Sequence, residues 1–169
     1  MGARGQRGLN LALPEQLAIT YNGESVSAAA LKIGQIVDVR ASVINGALVA
    51  NAIDGYDAVI GEVTRVNAQA STFEVLGQTI VVDSRTRVNL MRGRTVGLRL
   101  PERGDRIRVS GLRRNDQAIA ATLIARAGHR TVNFLSGIYP GTAGEVNIGA
   151  LKIQIPAAAR PSPAPLRWM

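Results

Sequence analysis

The arginines are the residues of this chain whose type and spacing could do chemistry. Arg106 and Arg108 sit two apart in residues 104–111 (G-D-R-I-R-V-S-G), so on a strand they share one face while Ile107 and Val109 take the other. Arg85 and Arg87 repeat that spacing, and Arg113 and Arg114 follow at a turn. Guanidinium groups in a row neutralise phosphates and other anions through charge-assisted hydrogen bonds. Binders of single-stranded nucleic acid also stack bases on aromatic rings. The chain has six aromatic residues, Tyr21, Tyr56, Phe73, Phe134, Tyr139 and Trp168, and only Phe73 falls in this middle part, at a core position. The electrostatic half of the signature is present and the stacking half is missing. Arg85, Arg87, Arg106, Arg108, Arg113 and Arg114 are the candidate anion-binding residues, against the plainer reading of a solvated arginine face.

Catalysis finds no comparable constellation. His129 is the only histidine, beside Gly128 in a connecting loop, and no serine or aspartate stands in a triad relation to it. With no cysteine and one histidine, zinc lacks ligands. Asp54-Gly55-Tyr56-Asp57 lacks the spacing and acid count of a calcium loop and reads as a turn. Asp83-Ser84-Arg85-Thr86 reads as an Asx or Ser/Thr turn closing a strand. None of the glycines makes a nucleotide fingerprint. The expectation is a protein that is not an enzyme, with no catalytic residue, metal or cofactor.

Charge singles out the same segment. Between Arg85 and Arg130 twelve arginines face Glu102, Asp105 and Asp116, a net of +9, while the remainder carries −1 of the total +8. Lys32 and Lys152 are the only lysines, a bias that genomic base composition explains as readily as guanidinium chemistry. A length of 169 residues suffices for one core or two small ones, and 46% hydrophobic content with a mean hydropathy of +0.09 describes a folded chain. No apolar run approaches the ~18 residues of a membrane-spanning helix. Residues 1–13 have no continuous apolar core of a signal peptide.

The elements that must carry these arginines read as strands. Asn22-Gly23 and Asn45-Gly46 are hairpin turns, since both positions of such a turn need positive φ. Residues 36–43 alternate, with Val37, Val39, Ala41 and Val43 on one face and Asp38 and Arg40 on the other. Residues 27–31 suit one helical turn. The pattern then restarts: a strand at 61–66, a hairpin of 73–76 and 79–83 about Gly77-Gln78, a looser connection over 89–99, and strands at 106–112 and 118–125. A third start at Ser136-Gly137 leads to 146–148 and 151–155 about Gly149-Ala150.

Internal comparison supports a repeat. A shift of 70 lays Gly34, Val37 and Val39 on Gly104, Ile107 and Val109, and a shift of 71 lays 44–53 on 115–124. A shift of 73 lays Phe73, Val75, Ile80 and Val82 on Val146, Ile148, Ile153 and Ile155. The period is about 70 residues. The motifs G-E-V-T-R-V, T-F-E-V-L-G-Q-T-I-V-V-D-S-R-T and G-D-R-I-R-V-S-G-L-R with A-A-T-L-I resemble the bacterial domain-of-unknown-function family 5666, strongly over 60–127, less over 17–57 and partly over 131–156. The resemblance implies five-stranded OB-like barrels and, because members are often exported, a periplasmic or cell-envelope setting, with the cytoplasm as the other option. It transfers no catalytic residue. Two departures are the missing export leader and Asn115-Asp116-Gln117-Ala118 where a glycine turn is usual.

The expected fold is all-β: tandem five-stranded OB-like small barrels with a ~70-residue repeat. Its parts are a flexible leader (1–16), a partial first unit (17–57), a complete second unit (60–127), a partial third unit (131–156) that completes the first barrel, and a proline-rich disordered tail (157–169). Deleting 131–156 is then expected to destabilise the first unit more than the second. The expected function is a non-enzymatic binding or scaffold module of the bacterial cell envelope, with a protein or polyanion as partner. The alternative is sequence-nonspecific binding of single-stranded nucleic acid through the arginine face.

Overall fold

A computed structural model describes residues 10–90, 100–129, 131–137, 144–148 and 151–155. The tail read at 157–169, with Trp168, lies outside the described residues. The strands are β1 (Leu11–Ala12), β2 (Ala18–Tyr21), β3 (Glu24–Ser25), β4 (Ile36–Ile44), β5 (Ala47–Tyr56), β6 (Val59–Asn67), β7 (Thr72–Val75), β8 (Gln78–Val81), β9 (Arg87–Asn89), β10 (Arg106–Arg113), β11 (Ile119–Arg126), β12 (Phe134–Leu135), β13 (Gly144–Ile148) and β14 (Leu151–Ile155). One 3-10 turn (Ala28–Ala30) falls where the three alanines suggest it. The protein is all-β among the described residues.

The centre is a closed five-stranded barrel. Around it run β6, β7, β8, β11 and β10, and β10 returns to β6. Every junction is antiparallel except that of β8 with β11. Closure leaves no open edge around the ring, which matters for strands this apolar. The alternation predicted for the middle segment fills the interior: Val59, Val63, Val75, Ile80, Ile107, Val109, Ile119 and Ile124 are all fully buried around Phe73. A bulge between Ser110 and Gly111 bends β10 against β11.

Among the described strands the first unit is an open sheet. β5 pairs β4 antiparallel and β1 and β2 in parallel, and β2 carries the short β3. Asn22 (φ 52) and Gly23 (φ 84) make the expected turn, as do Asn45 (φ 50) and Gly46 (φ 79). Gly55 is needed in β5 because a Cβ there would lie 2.5 Å from the Tyr21 ring. β4 also carries a bulge, between Arg40 and Ala41.

Two local expectations are corrected. The hairpin between β7 and β8 turns on Leu76 (φ 48) and Gly77 (φ 70), one residue earlier than read, so Gln78 begins β8 and is buried. Asp54 to Tyr56 are not a turn: they end β5, and Asp57 is buried at the junction of the two sheets. Strand pairing outweighs the turn preference of an Asp-Gly pair when both neighbouring strands need the backbone.

The described contacts of 131–155 run to the second unit. Phe134 and Leu135 pair with Ile60 and Val59 of β6, and the Ser136 N–H donates to the Ala58 carbonyl at 3.0 Å. β13 and β14 pair with each other as a separate hairpin, in register from Gly144↔Ile155 to Ile148↔Leu151.

Candidate functional site

Strand alternation places Arg106 and Arg108 outside the barrel, as read, with Ile107 and Val109 inside. Each guanidinium then meets a different neighbouring segment. Arg106 donates through one terminal nitrogen to the Thr131 carbonyl and to Asn133 Oδ1, the latter at 2.9 Å. Arg108 donates through Nε and a terminal nitrogen to Asp57 Oδ2, both at 3.1 Å, and stacks 5.6 Å from the centre of the Tyr21 ring. Arg113, past the bulge, donates to Gln78 Oε1 and to the Gln117 carbonyl, both at 2.8 Å.

Asp57 is the centre of the largest of these clusters. Only 1% of it is exposed. Its Oδ1 accepts from the Tyr21 hydroxyl at 2.8 Å and from Ser110 Oγ at 3.3 Å. Its Oδ2 accepts from Asn22 Nδ2 at 2.9 Å besides Arg108, and its backbone N–H donates to Asn22 Oδ1 at 2.9 Å. A buried carboxylate is tolerable when a cation and several donors replace its water, and that condition is met. Burial pushes the Tyr21 phenol up to about 12, and the nearby Asp57 charge adds to the shift. The cluster joins β2, the β5–β6 junction and β10, so it fastens the open sheet to the barrel.

Gln78 does the same for the hairpin. Its Oε1 accepts from Arg113, and its Nε2 donates to the Ile148 carbonyl of β13 at 2.7 Å. Asp57, Tyr21, Ser110 and Gln78 were not legible as site residues. Nothing in the local pattern marks them, because the partners that define the clusters lie 35 or more residues away in the chain.

The remaining arginines are surface groups. Arg85 chelates Asp83 through Nε (3.2 Å) and a terminal nitrogen (2.8 Å), which lowers the Asp83 carboxyl and raises the Arg85 guanidinium through the same hydrogen bonds. Arg114 pairs with Asp116 at 3.1 Å. Arg87 is exposed on β9, opposite Leu123 of β11, and among the described residues no side-chain hydrogen bond or ion pair engages it. Of the six candidates, Arg113 and Arg114 are the two brought together at one cleft of about 860 Å³. Asn115, Gln117, Tyr56 and Phe134 also line it, so the fold supplies two aromatic rings that the linear segment lacks. Burial lowers the pKa of the Arg113 guanidinium.

Residues 60–125 match the family of a domain of unknown function (DUF5666). The similarity expected from the motifs is thereby shown, over a segment that runs from β6 to β11 and includes the closed barrel and all six arginines. No curated protein and no solved structure matches the chain. The DUF5666-like segment contributes Arg108 and Ser110 to the Asp57 cluster, while Tyr21, Asn22 and Asp57 come from outside it. Among the described residues there is no group of three or more His, Asp or Glu placed to hold a metal ion, and no helix is long and apolar enough to cross a membrane.

Proposed function

We propose that this protein is a non-enzymatic binding and scaffold module of the bacterial cell envelope, built from repeated OB-like barrels. The carrying observation is the use of the β10 arginines: Arg106 and Arg108 tie residues 131–133 and Asp57 to the barrel, and Arg113 holds Gln78, whose amide reaches β13. Arg106 and Arg108, engaged in this way, hold a platform together and are poorly placed to hold phosphate as well.

The ring order β6-β7-β8-β11-β10, with one parallel junction, supports the OB-like description. Register supports the repeat. The bulges at Arg40/Ala41 and Ser110/Gly111 lie 70 residues apart. Leu48, which β1 pairs, and Ile119, which β8 pairs, correspond at the shift of 71. The envelope setting comes from the family resemblance alone.

A second reading, binding of single-stranded nucleic acid or another polyanion, is favoured by one observation: Arg113 and Arg114 share a cleft with Tyr56 and Phe134. A salt series separates the two. Phosphate binding by several arginines loses orders of magnitude in affinity as salt rises from about 50 to 200 mM. We expect no such salt-steep binding of single-stranded DNA or RNA, measured by anisotropy from low salt upward. Steep, saturable binding that charge reversal at Arg113 and Arg114 abolishes would establish the second reading instead.

A further inference from the structure

We infer that the free edge of β4 is a strand-addition site for an extended peptide segment of a partner protein, one carrying an acidic residue. The inference rests on the binding-module reading and names the kind of partner it takes.

Backbone direction is the first argument. The Gly55 carbonyl accepts from the Asn22 N–H at 2.9 Å, so Gly55 turns its peptide groups towards β2. Val37 lies opposite Gly55 in antiparallel register, and residues in such a pair that do not bond each other both point outward. Val37 therefore turns its N–H and C=O away from β5, and with a period of two so does Val39. β4 pairs with β5 alone among the described strands. Its residues 38–44 are exposed, including Val39 (42%) and Val43 (72%), and Ile36 and Val37 are half-buried.

The complete barrel shows what such an edge takes. In β10 the corresponding groups are used: Ala58 N–H donates to the Val109 carbonyl at 2.7 Å and Val63 N–H to the Asp105 carbonyl at 2.9 Å. β6 lies there antiparallel, from Val59↔Val109 to Glu62↔Arg106. Val39 precedes Val109 by the same 70 residues that separate the two bulges. The edge Ile36–Val39 thus presents the donor and acceptor spacing of a strand whose partner has the pattern Val-Ile-Gly-Glu.

Room and charge complete the argument. The cleft of about 860 Å³ opens beside Asp38, with Ile119, Phe134 and Ile148 among its apolar walls, a size within the ~300–1,000 Å³ of ligand pockets. Arg113 also lines it, and among the described residues its guanidinium hydrogen-bonds only neutral oxygens, those of Gln78 and Gln117. A half-buried cation without a carboxylate favours an acidic group on the occupant. Main-chain bonds along β4 would supply affinity, and the cleft would select side chains, as in other strand-addition sites. Phosphates and bases do not reproduce the alternating spacing of a peptide backbone.

The test titrates the full chain into a fluorescent peptide with the sequence of residues 59–67, Val-Ile-Gly-Glu-Val-Thr-Arg-Val-Asn. Expected are saturable binding and slowed hydrogen exchange at the Val37 and Val39 amides. Val39→Pro removes one outward N–H and spares the β5 ladder, and it should abolish binding while barrel amides stay protected. Arg113→Gln, or a peptide with glutamine in place of its glutamate, should weaken binding on the order of tenfold, and the two changes together little more. Three outcomes overturn the proposal: no binding, binding indifferent to Val39→Pro, or Val37 and Val39 amides already protected in the free chain. The last would mean that the chain itself, or a second copy detected by sedimentation, fills the edge. A failed peptide titration with no salt-steep DNA binding sinks strand addition and leaves the binding-module reading standing; salt-steep DNA binding sinks that reading.

Discussion

Asp57 shows how one buried charge can hold two sheets in place. Four side chains donate to its carboxylate, and Arg108 supplies the opposite charge while remaining 35% exposed. Removing a member of a buried pair leaves the others desolvated without partners, so Asp57→Ala should lower stability by about 3 kcal/mol, the lower part of the usual range because Arg108 is partly solvated. Urea denaturation would measure it, and Arg108→Met should cost a comparable amount, since it leaves the Asp57 carboxylate buried without an opposite charge. Tyr21 gives the cluster a pH dependence with a definite sign. Its phenol ionises near 10.0 ordinarily and at about 12 in the fold, because burial disfavours the anion. The unfolded chain therefore loses that proton first as pH rises. The contribution is complete below pH 10 and is lost as pH climbs through about 12. Urea midpoints between these pH values should fall for the wild type, and Tyr21→Phe should flatten that part of the profile.

At the scale of elements, Gln78 is the joint between barrel and hairpin. It occupies the first position of β8, is 1% exposed, and reaches Arg113 on one side and Ile148 on the other. Gln78→Ala takes one of the two acceptors from the half-buried Arg113 guanidinium and leaves the Ile148 carbonyl without its donor, a loss of about 1–3 kcal/mol. The expected result is faster hydrogen exchange in β13 with the amides of β6 and β10 unchanged. A uniform rise across the barrel would mean that Gln78 supports the core rather than the hairpin. The hairpin itself was readable, because Val146 and Ile153 pair as Phe73 and Ile80 do. Its attachment was not, because the side-chain amide that makes it sits in a stretch with the ordinary pattern of a hairpin.

At the scale of the molecule, a closed barrel and an open sheet share one chain, and residues 131–137 lie against the barrel. Truncation after His129 removes β12 from β6, and with it the cover over Val59 and Ile60, which are 0% and 2% exposed. The expected loss is roughly 2–3 kcal/mol, the worth of one large buried side chain. It should appear in the exchange of β6 and β10 amides before those of β2 and β5. The sequence reading put the larger loss on the first unit; the described pairings put it on the barrel. A result in the original order would show that 131–155 supports the open sheet after all.

Alternation by itself determined that 106–112 is a strand with Arg106 and Arg108 outward and Ile107 and Val109 inward, and the Asn-Gly pairs determined two turns. That strand is one residue short of β10, whose last residue, Arg113, the sequence places in the turn. Both follow from local sterics, which act over a few residues. The family-like motifs over 60–125 were legible for the same reason, being strands and turns in order. Tertiary structure alone decided what Arg106 and Arg108 meet, whereas Arg85 and Arg114 pair with carboxylates two residues away. Arg108 and Asp57 are 51 residues apart in the chain, and Tyr21 and Ser110 are 89 apart. No period or turn rule reports a contact at that separation, because it depends on which sheet edges close. Closure likewise decided that β10 pairs on both sides, with β11 and β6, while among the described strands β4 pairs with β5 alone.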